Sequence, residues 1–128
     1  MALKRRPSEA SIRYADRKRR EDEAPRLAEL FQNLQSLGLE VTERRGGAPL
    51  AEAGYIRRIV VEHAPALFLL PCGDPSCRDG GHDVTHAVLS GLRTGAARFE
   101  GHDACSGTIG TSQCSRELHW VATATWRA

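Results

Sequence analysis

Four cysteines are the residues of this sequence best equipped for chemistry. Cys72 and Cys77 stand in the loop PCGDPSC with four residues between them, and Cys105 and Cys114 bound the segment CSGTIGTSQC with eight between them. Two pairs supply four sulfur donors, the number that a tetrahedral zinc ion takes, commonly from two tight loops that the fold brings together. Proline and glycine flank the first pair, and Gly107 and Gly110 lie inside the second, so the backbone can wrap closely around an ion. The chemistry expected is a structural zinc site built from Cys72, Cys77, Cys105 and Cys114. Disulfides and free or redox-active thiols are the alternatives.

Histidines add candidate ligands. His82 and His86 are four apart, a spacing that can place two imidazoles on one metal, and His102 lies three residues before Cys105. Any of them can replace a sulfur, although four thiolates already complete a closed site. The ordinary reading of His82 and His86 is one packed and one exposed side chain.

Catalysis by the metal would require an open coordination position and a nearby acid or base. Glu62, Asp79, Asp83, Asp103 and Glu117 are available for that role, but no HExxH motif occurs. The zinc deaminase signature needs H-x-E before P-C-x-x-C. Here the upstream histidine reads His63-Ala64-Pro65 and the loop reads P-C-x4-C, so both halves fail. A phosphate loop and a G-x-S-x-G elbow are also missing. Gly80 and Gly81 read as a flexible entry to a helix capped by Asp79 or Asp83 rather than as an anion site. The expectation is therefore a binding protein and not an enzyme.

The charge distribution indicates what is bound. Eighteen basic and 16 acidic residues give a net charge of +2. Residues 1–26 hold nine basic and five acidic side chains, a local balance of 9 − 5 = +4, which leaves +2 − 4 = −2 for the remainder. A basic arm on a slightly acidic body is a common arrangement for contacting nucleic acid. Arg5, Arg6, Arg17, Lys18, Arg19 and Arg20 are the candidate phosphate contacts. The leading expectation is an accessory protein of a nucleic-acid machine, RNA/ribosome or transcription complex, binding RNA or DNA. The second is a protein-interaction adaptor that uses an amphipathic helix, and the third is a zinc-dependent or thiol enzyme.

The elements that must position these residues follow from periodicity. PRLAELFQNLQSLGLEV places Leu27, Leu30, Phe31, Leu34 and Leu37 at helical three-and-four spacing, with Pro25 in the first turn and Gly38 as a stop. Its polar start can reach back through Tyr14 to Glu23, with residues 1–12 disordered. Residues 43–54 read as a loop. Strands are predicted at YIRRIVVE, ALFLL (66–70), ARFEG and RELHWVATATW, and a second helix at HDVTHAVLSGLRTG. The last strand alternates cleanly, with Leu118, Trp120, Ala122, Ala124 and Trp126 on one face.

The fold class expected is thus α+β, in the order αββαββ: a small mixed sheet of three or four strands with two helices, stapled by the four-cysteine zinc site. Pairing of ALFLL with ARFEG around the intervening helix would make a parallel crossover and set Cys72 and Cys105 at one sheet edge. At 128 residues one domain is expected: a flexible basic arm over 1–23 and a single zinc-binding domain over 24–128. The longest uncharged apolar run, 64–72, is far short of the roughly 20 residues of a membrane span. No secretory pattern is visible at the N-terminus, so a cytoplasmic location is expected, where thiols stay reduced.

Overall fold

The computed structural model describes residues 9–45, 48–49 and 54–128. Helix α1 (Glu9–Glu23) is polar and ends ahead of Pro25, whose ring disfavours helical geometry in the preceding residue. A single turn, α2 (Leu27–Leu30), buries Leu27. Strands β1 (Leu34–Arg45), β2 (Ala48–Pro49) and β3 (Tyr55–Ile59) follow. A two-residue ribbon of β4 (Leu69–Leu70) and β5 (His82–Asp83) leads into helix α3 (Thr85–Arg93). Strand β6 (Arg98–Ala104), the miniature hairpin β7 (Thr108–Ile109) and β8 (Ser112–Gln113), and the long strand β9 (Arg116–Trp126) complete the chain.

The main sheet is antiparallel throughout. Strands β1 and β9 form its centre, β6 lies beyond β9, and β3 and the short β2 pair successive stretches of the other side of β1. One face carries the core. Leu37, Leu39 and Val41 of β1 and Leu118, Trp120, Ala122 and Ala124 of β9 are buried on it, covered by Leu27, Phe68, Leu70, Val84, Val88 and Leu92. Two glycines make room for the aromatic residues of this layer. A Cβ on Gly101 would lie 2.6 Å from the Trp120 ring, and one on Gly91 would overlap Phe99. The Phe99 and Trp120 rings meet edge to face at 5.9 Å, a favoured aromatic geometry.

The helix predicted over 25–38 forms only as a single turn and gives way to a strand. Only Leu27–Leu30 is helical, and β1 begins at Leu34. At about 100° per residue a helix would turn Leu39 roughly 140° away from Leu34, onto its wet face. The strand instead buries Leu37, Leu39 and Val41 together, and a register irregularity between Leu34 and Ser36 brings Leu34 in as well. The loop predicted over 43–54 is also corrected in part. Glu43–Arg45 continue β1, and Ala48–Pro49 pair with Arg44–Arg45.

The parallel crossover does not form. ALFLL contributes only β4, which pairs antiparallel with β5, while β6 begins at Arg98, extends beyond the predicted strand to Ala104 and pairs antiparallel with β9. Sequence proximity explains the outcome, because β6 and β9 are joined by a short hairpin connection, which antiparallel strands need and parallel strands cannot use. Strand β9 matches its predicted position, and α3 forms inside its predicted segment but starts only at Thr85, because His82–Asp83 pair with β4 as β5. Helix α1 starts at Glu9, inside the segment expected to be disordered.

Candidate metal centre

The four sulfurs converge. Sγ atoms of Cys72, Cys77, Cys105 and Cys114 all lie within 4.8 Å of one another. Cys72 and Cys114 are 3.9 Å apart and Cys77 and Cys105 are 3.6 Å apart. Thiolates bound about 2.3 Å from a tetrahedral zinc ion sit about 3.8 Å from each other. Disulfide sulfurs would be about 2.05 Å apart, and all four cysteines are unbridged. The donor set and its spacing therefore fit a tetrahedral ion, and the four cysteines can hold a metal.

Local backbone chemistry brings them there. The first loop leaves β4 at Pro71, and an Asx turn follows, in which the Ser76 amide donates to Asp74 Oδ1 at 2.9 Å and the Cys77 amide donates to the Asp74 carbonyl at 3.1 Å. The second pair frames the connection between β6 and β9. Cys105 N donates to Arg116 O at 3.0 Å and Cys114 N donates to Gly107 O at 2.8 Å. Between them the β7–β8 hairpin turns at Gly110, whose φ of +60° favours glycine. The two loops are joined by reciprocal backbone bonds, Arg78 N to Thr108 O at 2.8 Å and Thr108 N to Arg78 O at 2.9 Å.

Two glycines are required by proximity to the sulfurs. A Cβ on Gly80 would overlap Cys77 Sγ and lie 2.8 Å from Cys105 Sγ. One on Gly107 would overlap Cys77 Sγ and lie 2.5 Å from Gly80 Cα and 2.6 Å from Arg78 O. With no side chain, the backbone approaches closely enough for the Gly107 amide to donate to Cys105 Sγ at 3.4 Å. Burial opposes ionisation of Cys105, but the amides of Gly107 and Gly81 and the thiols of Cys77 and Cys72 together hold its pKa below the ordinary value. Burial pushes the Cys72 thiol well up, and burial with the neighbouring sulfurs pushes Cys77 up to about 11. Cys72 and Cys77 therefore resist ionising in isolation. A divalent cation at the centre of the four sulfurs supplies the charge that reverses this, since a metal ion inverts local pKa logic.

A buried charge network braces the first loop. Glu43, on the core face of β1, is 2% exposed. Its Oε1 accepts from the Gly73 amide and its Oε2 from Arg116 Nη1, both at 2.6 Å. Arg116 Nε lies 3.8 Å from Asp74 Oδ2, and Arg45 reaches the same oxygen at 3.4 Å. Gly73 follows Cys72 directly, so Glu43 pins the loop beside a sulfur. Gly107 plays the part expected of a glycine inside the second loop, whereas Gly80, Glu43, Asp74 and Arg116 are absent from the sequence-derived site. A glycine close behind Cys77 was a readable signal for Gly80. Nothing local marked Glu43, 29 residues before Cys72.

The histidines lie outside the sulfur cluster. His82 is buried in β5 with Nδ1 2.7 Å from Asp103 Oδ2, while His86 is exposed on α3. His102 stacks on His119 with ring centroids 4.9 Å apart. Neither Asp79 nor Asp83 caps α3 as expected: the N-cap position is Val84, without a side-chain cap bond, and Asp83 accepts from the Thr85 amide at 3.1 Å in a turn just ahead of the helix.

Among the arm residues, Arg5 and Arg6 lie outside the described residues. The other four lie along α1, and each has an acidic partner: Arg17 with Glu21 at 3.0 Å, Lys18 with Asp22 at 3.4 Å, Arg19 with Asp16 at 2.6 Å and Arg20 with Asp83 at 2.7 Å. The last pair ties α1 to the body. No described helix is long and apolar enough to cross a membrane.

Fold and centre together define a small α+β domain with an antiparallel sheet and a four-cysteine cluster able to hold a metal. No family model, curated protein or solved structure matches the chain significantly.

Proposed function

We propose that this is a small zinc-stapled binding protein and not an enzyme, an accessory of a cytoplasmic nucleic-acid machine. The observation that carries the first half is the convergence of four cysteine sulfurs within 4.8 Å of one another. Four thiolates satisfy a zinc ion completely and leave it no position for substrate or water, so the ion's work is to lock the β4–β5 loop onto the β6–β9 connection. Elemental analysis combined with thiol titration tests this. One zinc per chain with four protected thiols is expected, whereas metal-free protein without titratable thiols would mean disulfides.

The nucleic-acid half rests on charge. Helix α1 carries five basic and five acidic residues over Glu9–Glu23, so it is neutral as a unit. The excess of the arm comes from Lys4, Arg5, Arg6 and Arg26. Exposed ion pairs are worth about 0–1 kcal/mol, so Arg17, Lys18, Arg19 and Arg20 can trade their carboxylates for phosphates at small cost. Binding to structured RNA or duplex DNA should then weaken steeply with salt, with a log–log slope of about −0.7 to −0.9 per phosphate neutralised. Affinity that stays constant from low to high salt, or survives Arg5→Gln with Arg6→Gln, would refute it.

The same ion pairs favour a second reading, a protein-interaction adaptor without nucleic-acid contact. A helix whose cations are already matched by its own acids presents mixed charge, which suits a protein surface. Under this reading the zinc-loaded protein binds neither RNA nor DNA even at low salt.

A further inference from the structure

Strand β6 ends the main sheet, pairing with β9 on one side and with no other described strand. Which of its backbone groups are free follows from two flanking bonds. Ala124 N donates to Ala97 O at 2.9 Å and Cys105 N donates to Arg116 O at 3.0 Å. In an antiparallel ladder hydrogen-bonded residues alternate, so residues 97, 99, 101, 103 and 105 turn their amides and carbonyls toward β9. Those of Arg98, Glu100, His102 and Ala104 turn outward. All four of these residues are exposed, and their side chains lie on the sheet face opposite the core.

We propose that this edge pairs with the same edge of a second copy of the chain, antiparallel about a two-fold axis through Gly101. Only outward-facing residues can exchange hydrogen bonds with the partner strand. An axis at Gly101 pairs Arg98 with Ala104 and Glu100 with His102, and each pair occurs twice, so every outward group on the strand is used. Both other central registers are worse: an axis at residue 100 sets Glu100 against itself, and one at residue 102 sets His102 against itself. In the Gly101 register a carboxylate acceptor faces an imidazole N–H donor on both sides of the axis, and opposite or hydrogen-bonding pairs across strands stabilise whereas like charges destabilise. Two five-stranded sheets would become one continuous sheet, removing a free edge that isolated sheets must otherwise guard.

The core side accommodates this arrangement. Helix α3 lies under β6, with Gly91 against Phe99. Phe99 and its symmetry mate would be four residues apart along the paired strands, about 14 Å at 3.4 Å per residue, which exceeds a helix diameter of about 10–12 Å. The two Gly91–Phe99 contacts are therefore offset along the paired strands by more than a helix width. At the axis itself Gly101 carries no side chain to collide.

The test uses the metal-loaded full chain. Sedimentation equilibrium from micromolar to millimolar concentration should show a monomer–dimer equilibrium. Amide exchange read residue by residue should slow at least tenfold at Arg98, Glu100, His102 and Ala104 as dimer forms, while Phe99, Gly101 and Asp103, already bonded to β9, change no more than the rest of the sheet. His102→Glu sets like charges opposite each other twice and should weaken association about tenfold. Adding Glu100→His to that variant exchanges the two partners and should restore it. A chain that remains monomeric at millimolar concentration overturns the proposal, as does a dimer in which those four amides exchange as fast as in the monomer. Failure of the double variant to recover would overturn the register.

Discussion

Replacing Gly107 by alanine tests whether the close backbone approach, and not merely the four cysteines, makes the metal centre. The added Cβ would overlap Cys77 Sγ and press on Gly80 Cα and Arg78 O at 2.5 and 2.6 Å. Two of these neighbours are backbone and the third is a ligand atom, so none can swing aside as the end of a flexible side chain would. Overpacking of this kind costs about 1–3 kcal/mol. Relief requires separating the two loops, which weakens the reciprocal Arg78–Thr108 hydrogen bonds, worth about 0.5–1.5 kcal/mol each. The sum, about 2–6 kcal/mol, falls on the metal-loaded state, because without an ion the loops are free to relax. Zinc affinity should drop between roughly 30-fold and 20,000-fold, measured by competition with a chromophoric chelator. Gly110→Ala is the control. It suffers the strain of a φ of +60°, about 1–2 kcal/mol, but its Cβ would meet nothing within 4 Å, so affinity should stay within a few-fold of the parent. Parent-like zinc affinity in Gly107→Ala, or equal losses in the two variants, would refute the reasoning.

Cys105→Ser should lose tight zinc binding and unfold at much lower denaturant than the parent, since metal binding and folding are coupled; equal denaturation midpoints would remove Cys105 from the ligand set. Glu43→Gln removes the charge from a buried ion pair with Arg116, which keeps Asp74 as a second carboxylate neighbour, so destabilisation of about 1.5–3 kcal/mol is expected by urea unfolding. Burial works against the Asp83 carboxylate, but bonds from Thr85 and Arg20 together hold its pKa below the usual carboxylate value. A carboxyl with a depressed folded pKa contributes stability that is present above its unfolded pKa and is lost as pH falls through the folded pKa. The Arg20–Asp83 tie should accordingly hold at neutral pH and release only in acid, below the ordinary carboxylate range; an NMR titration placing the Asp83 midpoint at or above the ordinary aspartate value of 3.8 would contradict this.

Strand β9 and helix α3 were legible because one period dominates each segment. Leu118, Trp120, Ala122 and Ala124 alternate without interruption, and Val84, Val88 and Leu92 repeat every four residues, so no other conformation buries them together. The segment 27–41 holds two overlapping periods. Leu27, Leu30, Phe31, Leu34 and Leu37 satisfy a helix, and Leu37, Leu39 and Val41 satisfy a strand. The eleven-residue pairing partner β9 decided between them, and it lies some 80 residues away in the chain, beyond the reach of any local pattern.

The cysteine spacing by itself determined that two pairs of sulfurs sit on two glycine-rich loops, a property of composition that needs no knowledge of the fold. Tertiary structure alone decided how those loops meet. The sequence-based expectation joined Cys72 and Cys105 through a parallel crossover, but the sulfurs converge because an antiparallel hairpin connection from β6 to β9 folds back onto the loop leaving β4. Glu43 entered the centre for the same reason. A buried carboxylate on β1 finds Gly73 and Arg116 only once three strands and a loop are packed together, and contacts separated by 30 and 73 residues leave no trace in local spacing.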